Sequence, residues 1–125
     1  MQFDVVKNIR DPWDKARKEG RYAVVIDTGN ELVVLPCTTY FQRTGTVPVG
    51  AALLTRNNSP VWAKSGFSAT EVCISFRDAF IVLRGSSALD YAVQVGILDL
   101  GMDKRFNEVI RTLTLQYLGH ITKKA

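Results

Sequence analysis

Two apolar, β-branched runs lie close together near the start of the chain. Residues 23–26 read Ala-Val-Val-Ile, and residues 32–35 read Leu-Val-Val-Leu. Between them, residues 27–30 read Asp-Thr-Gly-Asn, a polar, glycine-containing group of the length that joins the strands of a hairpin. The pattern therefore predicts an antiparallel β-hairpin in which the two runs pair.

Further apolar runs predict short strands on both sides of this hairpin. Residues 12–19 are expected to form a short helix or a turn-rich loop, because Asp11-Pro12 is a helix-start signal and Gly20 is a helix-end signal. Residues 93–98 fit either a strand or the approach to a helix. The other predicted strands are residues 3–7, 47–54, 61–64, 71–75 and 79–83.

The period of the apolar positions changes after Asp103. The spacing becomes that of an amphipathic helix, with apolar side chains at Phe106, Val109, Ile110, Leu113 and Tyr117. We expect these side chains in the core or in a dimer interface, and we expect residues 119–125 to form a frayed tail. Together the elements predict one domain over residues 1–125, mainly β with α, as a small antiparallel β-barrel or twisted sheet capped by a C-terminal helix.

The composition narrows the functional classes without choosing among them. The chain has 125 residues and lacks both a bilayer-length apolar run and an N-terminal secretory pattern, so we expect a cytoplasmic location. Two cysteines, Cys37 and Cys73, and a single histidine, His120, argue against a disulfide framework, a zinc site or a Ser/His triad. A metal site with carboxylate ligands stays an open alternative. Both cysteines are expected to be buried. A net charge of +4 is compatible with a polyanionic partner.

Residues with anion-binding chemistry flank the predicted hairpin. Arg21 precedes its first run, and Thr38 and Thr39 follow the second. The start of one antiparallel strand lies beside the end of its partner, so these three residues are expected to meet at one end of the hairpin. An arginine fork beside hydroxyl donors is a good receptor for a phosphate. The alternative is an ordinary surface arginine that happens to lie near threonines.

The order of these features resembles the PemK/MazF family of bacterial toxins. The matching segments are Asp4-Val5-Val6, Gly20-Arg21, Ala23-Val24-Val25-Ile26, Val33-Val34-Leu35-Pro36-Cys37-Thr38-Thr39 and Gly96-Ile97-Leu98, followed by the helix after Asp103. The resemblance implies an SH3-like, PemK-type barrel. The chain departs from the family at Tyr22, where proline is usual, and at Ser75-Phe76, where Asp-Gln is usual.

The resemblance also implies a function. Members of the family are homodimeric endoribonucleases that cut single-stranded RNA without a metal or other cofactor and are held inactive by an antitoxin protein. The ribose 2′-hydroxyl attacks the adjacent phosphorus, which leaves a 2′,3′-cyclic phosphate and a 5′-hydroxyl. By position, Arg21 is expected to stabilise the phosphorane, Thr38 to hydrogen-bond a nonbridging oxygen and Thr39 to support the loop and contact the substrate.

Other site residues are expected from the same resemblance. The general base is Glu19 or, alternatively, Asp14; the competing interpretation for both is surface solvation at a helix end. Arg43 and Arg77 are expected to contact the RNA backbone, unless they form ordinary surface ion pairs. Among the aromatic residues, Trp13 and Tyr40 are nearest the expected site for base stacking, whereas Trp62 fits core packing better.

A second class of function fits the departures from the family. The chain would then be a non-catalytic binding module on the same barrel, for nucleic acid or for a protein target. A third interpretation is a mobile-element protein that kept the barrel after losing catalysis. The C-terminal residues 120–125 lack the aromatic tail expected of the gyrase-directed relatives of this fold.

Overall fold

The computed structural model describes residues 2–10, 21–39, 41 and 44–119. These residues form an antiparallel sheet of seven strands. The strands lie in the order β4-β5-β3-β2-β1-β7, and β6 also pairs with β3. Their bounds are β1 (Gln2–Lys7), β2 (Tyr22–Asp27), β3 (Glu31–Thr38), β4 (Ala51–Thr55), β5 (Glu71–Ser75), β6 (Phe80–Leu83) and β7 (Val93–Asp99). The sheet curls as a half-barrel around the main core, and the mainly β fold with a C-terminal helix agrees with the prediction.

The predicted hairpin is confirmed as β2 and β3. The two strands pair from Ala23 opposite Pro36 to Asp27 opposite Leu32. In the turn, Gly29 has a φ of 106°, which favours glycine, and its N–H donates to the Asp27 carboxylate at 2.8 Å. The polar turn therefore sets the register that the apolar runs require.

Alternation along the hairpin gives the sheet two distinct faces. Val24 and Leu35 point to the inner face and belong to the main core, whereas Ala23 and Val34 point to the outer face. Because β6 lies next to β3 and β7 lies next to β1, the connection between them, residues 84–92, crosses the sheet. Its Ala88 packs with Ala23 and Val34, so the connection covers part of the outer face.

The C-terminal helix covers the inner face, as predicted. Helix α1 (Lys104–Leu113) buries Phe106 and Ile110 in the main core and continues as a π-helical turn, Thr114–Leu118. Val109, expected in the core or in a dimer interface, is 47% exposed and does not belong to the core of the single chain. None of the helices in the described part of the chain is long and apolar enough to cross a membrane.

One predicted strand and one predicted strand boundary are wrong. Residues 61–64 form part of a 3₁₀ helix (Pro60–Lys64), because the Ser59 hydroxyl accepts a bond from the Val61 N–H at 3.2 Å and Pro60 has no N–H for a ladder. The strand predicted from residue 47 begins only at Ala51, whose N–H closes a turn onto the Pro48 carbonyl at 3.2 Å. The predicted helix or loop at 12–19 and the tail after Gly119 lie outside the described residues.

A close approach of two backbones joins the 3₁₀ helix to β7. A Cβ atom on Gly96 would lie 2.3 Å from the Ser65 carbonyl oxygen, and one on Gly66 would lie 2.3 Å from the Val95 carbonyl oxygen. Only hydrogen atoms fit between these segments. The contact seats the 3₁₀ helix, with its buried Trp62, against the inner face of β7.

This close approach makes Gly96 a stability determinant. We expect Gly96→Ala to lower the free energy of unfolding by about 1–3 kcal/mol, because the added methyl group would overlap backbone atoms that are not free to move. Gly85→Ala is the matched control, since a Cβ there would meet no atom within 4 Å. Urea denaturation followed by circular dichroism measures both changes; equal stability of the two variants would contradict the assignment.

A second prediction concerns the start of helix α1. The Asp103 carboxylate accepts bonds from the N–H groups of Arg105 at 3.0 Å and Phe106 at 3.2 Å. The Ser59 hydroxyl and, after it, the Phe106 N–H hold the pKa of Asp103 below its ordinary value of 3.8. We expect Asp103→Ala to cost about 1 kcal/mol of unfolding free energy at neutral pH, as for other lost N-caps.

The same carboxylate predicts a pH dependence with a defined sign. Its pKa is lowered on folding, so its charge stabilises the folded state above pH 3.8, and this contribution is lost as the pH falls through the folded-state pKa. Asp103→Asn retains a cap but does not titrate. Denaturation curves at several pH values should therefore show the wild type losing its advantage over this variant below pH 3.8; a constant difference would refute the role of the charge.

Candidate functional site

Arg21 and Thr38 belong to the end of the β2–β3 hairpin that lies opposite its turn. The ladder ends with Ala23 opposite Pro36, so Arg21 and Thr38 each lie two residues beyond its last pair, at the same end of the hairpin. Side chains two residues apart in a strand share a face, so both residues belong to the outer face with Ala23 and Val34. Arg21 is exposed and Thr38 is half-buried. The register therefore puts both residues at the same end of the hairpin, and a meeting of their side chains stays a prediction.

The sheet divides at Pro36, just before Thr38. On the side of β3 away from β2, β6 pairs as far as Val34, and β5 pairs with Cys37 and Thr38. Proline has no N–H to donate, and the chain between β5 and β6 leaves the ladder beside it. Thr38 is thus held by β5 at the last pairing position of β3, and Thr39, the next residue, is exposed.

Arg77 lies in the turn that leaves the sheet beside Pro36. The Gly50 carbonyl accepts bonds from the N–H groups of Phe76 at 2.8 Å and Arg77 at 3.3 Å. The Ser75 hydroxyl accepts the Asp78 N–H at 3.1 Å and closes the same turn. Because β3 lies between this turn and β2, the structure does not bring Arg77 beside Arg21. Arg77 is exposed, and a contact with RNA backbone remains a prediction.

The remaining predicted site residues fall outside the described part of the chain. They are Trp13, Asp14, Glu19, Tyr40 and Arg43. The identity of the general base and of the stacking residues therefore stays a prediction. Trp62 is described and is buried against Phe67, with ring centroids 5.5 Å apart, which confirms the core-packing interpretation.

Tyr22 points away from Arg21. It occupies the position at which the PemK/MazF family usually has proline. Its ring packs edge-on against Phe67 with centroids 5.5 Å apart, and its hydroxyl donates to the Ser68 hydroxyl at 3.0 Å. The Lys7 ammonium lies 5.5 Å from the ring centroid. Tyr22 therefore anchors the beginning of β2 to the inner side of the sheet, which leaves Arg21 on the other side.

A group of residues that sequence reasoning missed lines a groove on the outer face. We call it the outer groove; its volume is about 250 Å³. The lining residues are Asp4, Val6, Ile9, Val25, Asp27, Leu32, Arg84, Leu89, Ala92 and Gln94. The signal in the sequence was weak: Asp4 and Gln94 are single polar residues between apolar neighbours, as in any strand with one exposed face.

The lining of the outer groove includes two polar pairs. In the first pair the Arg84 guanidinium donates to the Asp27 carboxylate, and it also donates to the Gly29 carbonyl. The bond from Arg84, followed by that from the Gly29 N–H, lowers the pKa of Asp27 from its ordinary value. In the second pair the Gln94 side-chain amide donates to the Asp4 carboxylate at 3.0 Å.

Comparisons with known proteins do not extend these assignments. No protein-family model, curated protein or solved structure matches the chain. Within residues 2–10, 21–39, 41 and 44–119, no group of three or more His, Cys, Asp or Glu side chains is arranged to hold a metal ion. The resemblance to the PemK/MazF family therefore rests on the sequence motifs alone.

Both cysteines lie next to the candidate site and are buried. Cys73 is directly opposite Thr38, whereas Cys37 belongs to the main core. Burial raises the pKa of both thiols above the ordinary value, which disfavours the reactive thiolate.

We expect neither cysteine to react with Ellman's reagent in the folded protein, and both to react in urea. A rapidly reacting thiol under native conditions would contradict this burial.

Proposed function

We propose that the chain is a metal-independent endoribonuclease of the PemK/MazF type that cleaves single-stranded RNA. The observation that carries the proposal is the register of β2 and β3, which puts Arg21 and Thr38 at the same end of the hairpin, each two residues beyond the last pair. A guanidinium and a hydroxyl at adjacent strand ends offer donors to the two nonbridging oxygens of one phosphodiester. The net charge of +4 supports a polyanionic substrate.

The proposed reaction is attack of the ribose 2′-hydroxyl on the adjacent phosphorus. The 2′-oxygen loses its proton to the general base and forms a bond to phosphorus while the bond to the 5′-oxygen breaks. The 5′-oxygen gains a proton from water, and the products are a 2′,3′-cyclic phosphate and a 5′-hydroxyl. Arg21 stays protonated and acts as an electrostatic clamp on the phosphorane. The Thr38 hydroxyl donates a hydrogen bond to a nonbridging oxygen, and Thr39 supports the loop.

The rest of the proposed machinery follows from the resemblance. Glu19, or alternatively Asp14, accepts the proton of the 2′-hydroxyl. Four residues are proposed to contact the substrate in addition to Thr39: Trp13, Tyr40, Arg43 and Arg77. We further propose a homodimer in the cytoplasm whose activity is inhibited by an antitoxin protein.

The test is cleavage of a long single-stranded RNA by the purified protein in EDTA. We expect fragments with 5′-hydroxyl ends, and a loss of about 10²–10³-fold in rate for Arg21→Ala and for Thr38→Val, which each remove one donor to the phosphorane. Thr38→Ser should restore most of the rate because it retains the hydroxyl. Arg105→Ala is the charge-matched control, since Arg105 is exposed on helix α1 at the inner side of the sheet.

A non-catalytic binding module is the second candidate, and one observation favours it. Ser75 and Phe76, which stand where the family usually has Asp-Gln, are both buried; Ser75 closes a turn and Phe76 belongs to the main core. Neither side chain is exposed for contact with RNA. Intact RNA in the presence of a folded protein, with binding measured by fluorescence anisotropy and weakened in Arg21→Ala, would support the module and overturn the enzyme.

A further inference from the structure

The outer groove has an apolar floor on a part of the sheet that the crossing connection leaves open. Val6, Val25 and Leu32 come from three neighbouring strands, β1, β2 and β3. Leu89 and Ala92, from the connection between β6 and β7, form one wall. Strand and connection together provide a concave apolar surface suited to an aliphatic chain.

The rim of the outer groove is acidic, although the chain as a whole is basic. Arg84 and Asp27 neutralise each other, and the guanidinium is already engaged by that carboxylate and by the Gly29 carbonyl. The remaining carboxylate is that of Asp4, which accepts a hydrogen bond from the Gln94 amide. The charged lining residues therefore sum to a charge of −1, against +4 for the whole chain.

The rim is also richer in acceptors than in donors. A carboxylate offers about four lone-pair sites, so the single bond from Gln94 leaves Asp4 with most of its capacity. The Gln94 amide nitrogen donates to Asp4 at 3.0 Å and to the Gly96 carbonyl at 3.4 Å, which leaves its carbonyl oxygen as an acceptor. A ligand that donates hydrogen bonds and carries positive charge complements the pair of Asp4 and Gln94.

Size and charge together select the class of ligand. A volume of about 250 Å³ is below the roughly 300–1,000 Å³ of pockets that hold cofactors and drug-sized molecules, but it accommodates one long side chain. The carboxylates disfavour phosphate groups. We propose that the outer groove binds a lysine side chain presented by a peptide segment of a partner protein, with the methylene stem on Val25 and Leu32 and the ammonium at Asp4.

A peptide titration followed by NMR tests this proposal. The probe is a blocked pentapeptide with a central lysine flanked by alanines, added to the full-length, ¹⁵N-labelled protein. We expect its shifts to concentrate at the amides of Leu32, Leu89 and Ala92. The same peptide with norleucine, which keeps the stem and loses the charge, should bind about fivefold more weakly, and a glutamate peptide should give no shifts in the groove.

Two variants and one control tie the binding to the groove. Asp4→Asn keeps the shape of the side chain and removes its charge. We expect it to lower the affinity for the lysine peptide about threefold to fivefold. Ala92→Leu fills the groove and should abolish the shifts. Glu108→Gln, at an exposed position of helix α1, loses the same charge elsewhere and should leave the affinity unchanged.

Three results would overturn the proposal. The first is equal binding of the lysine and norleucine peptides, and the second is unchanged affinity in Asp4→Asn. The third is tighter binding of free n-butylamine than of the lysine peptide, which would assign the groove to a small amine. The ribonuclease assay is independent of all three, because Arg21 and Thr38 do not line the groove.

Discussion

The pairing of β3 with three other strands is the constraint on which the rest of the structure depends. β2 lies on one side of it, and β6 and then β5 lie on the other, with the change of partner at Pro36. Because side chains alternate along β3, this one strand contributes to the main core on its inner face and to the smaller apolar cluster on its outer face. The end of β3 that carries Thr38 is thereby held by β5 beside the beginning of β2.

The same arrangement separates the two surfaces of the outer face for which we propose functions. The connection between β6 and β7 covers part of that face through Ala88, which packs with Ala23 and Val34. Arg21 and Thr38 belong to one end, whereas Asp27 and Arg84 line the outer groove toward the other. A donor-rich end suits a phosphodiester and an acceptor-rich groove suits a cation, so the two surfaces would recognise different partners.

The elements that local patterns predict correctly are those whose signal does not depend on distant contacts. The hairpin follows from two β-branched runs and a glycine turn, and helix α1 follows from apolar spacing after a capping aspartate, Asp103. The errors have tertiary or capping causes. Residues 61–64 have the apolar composition of a strand, but Ser59 and Pro60 start a 3₁₀ helix there. Val109 fits the helical spacing of apolar residues, but its side chain is exposed and lies outside the core.

The sequence by itself determined the β-hairpin, the C-terminal helix, the burial of both cysteines and the position of Arg21 and Thr38 at the same end of the hairpin. These follow from periods of two and 3.6 residues and from the geometry of an antiparallel pair. Only the tertiary structure decided that Gly66 and Gly96 meet, that Arg77 lies across β3 from Arg21, and that Asp4 and Arg84 line one groove. The physical reason is that these groups come from segments far apart in the chain, and strand order, which no local pattern encodes, brings them together.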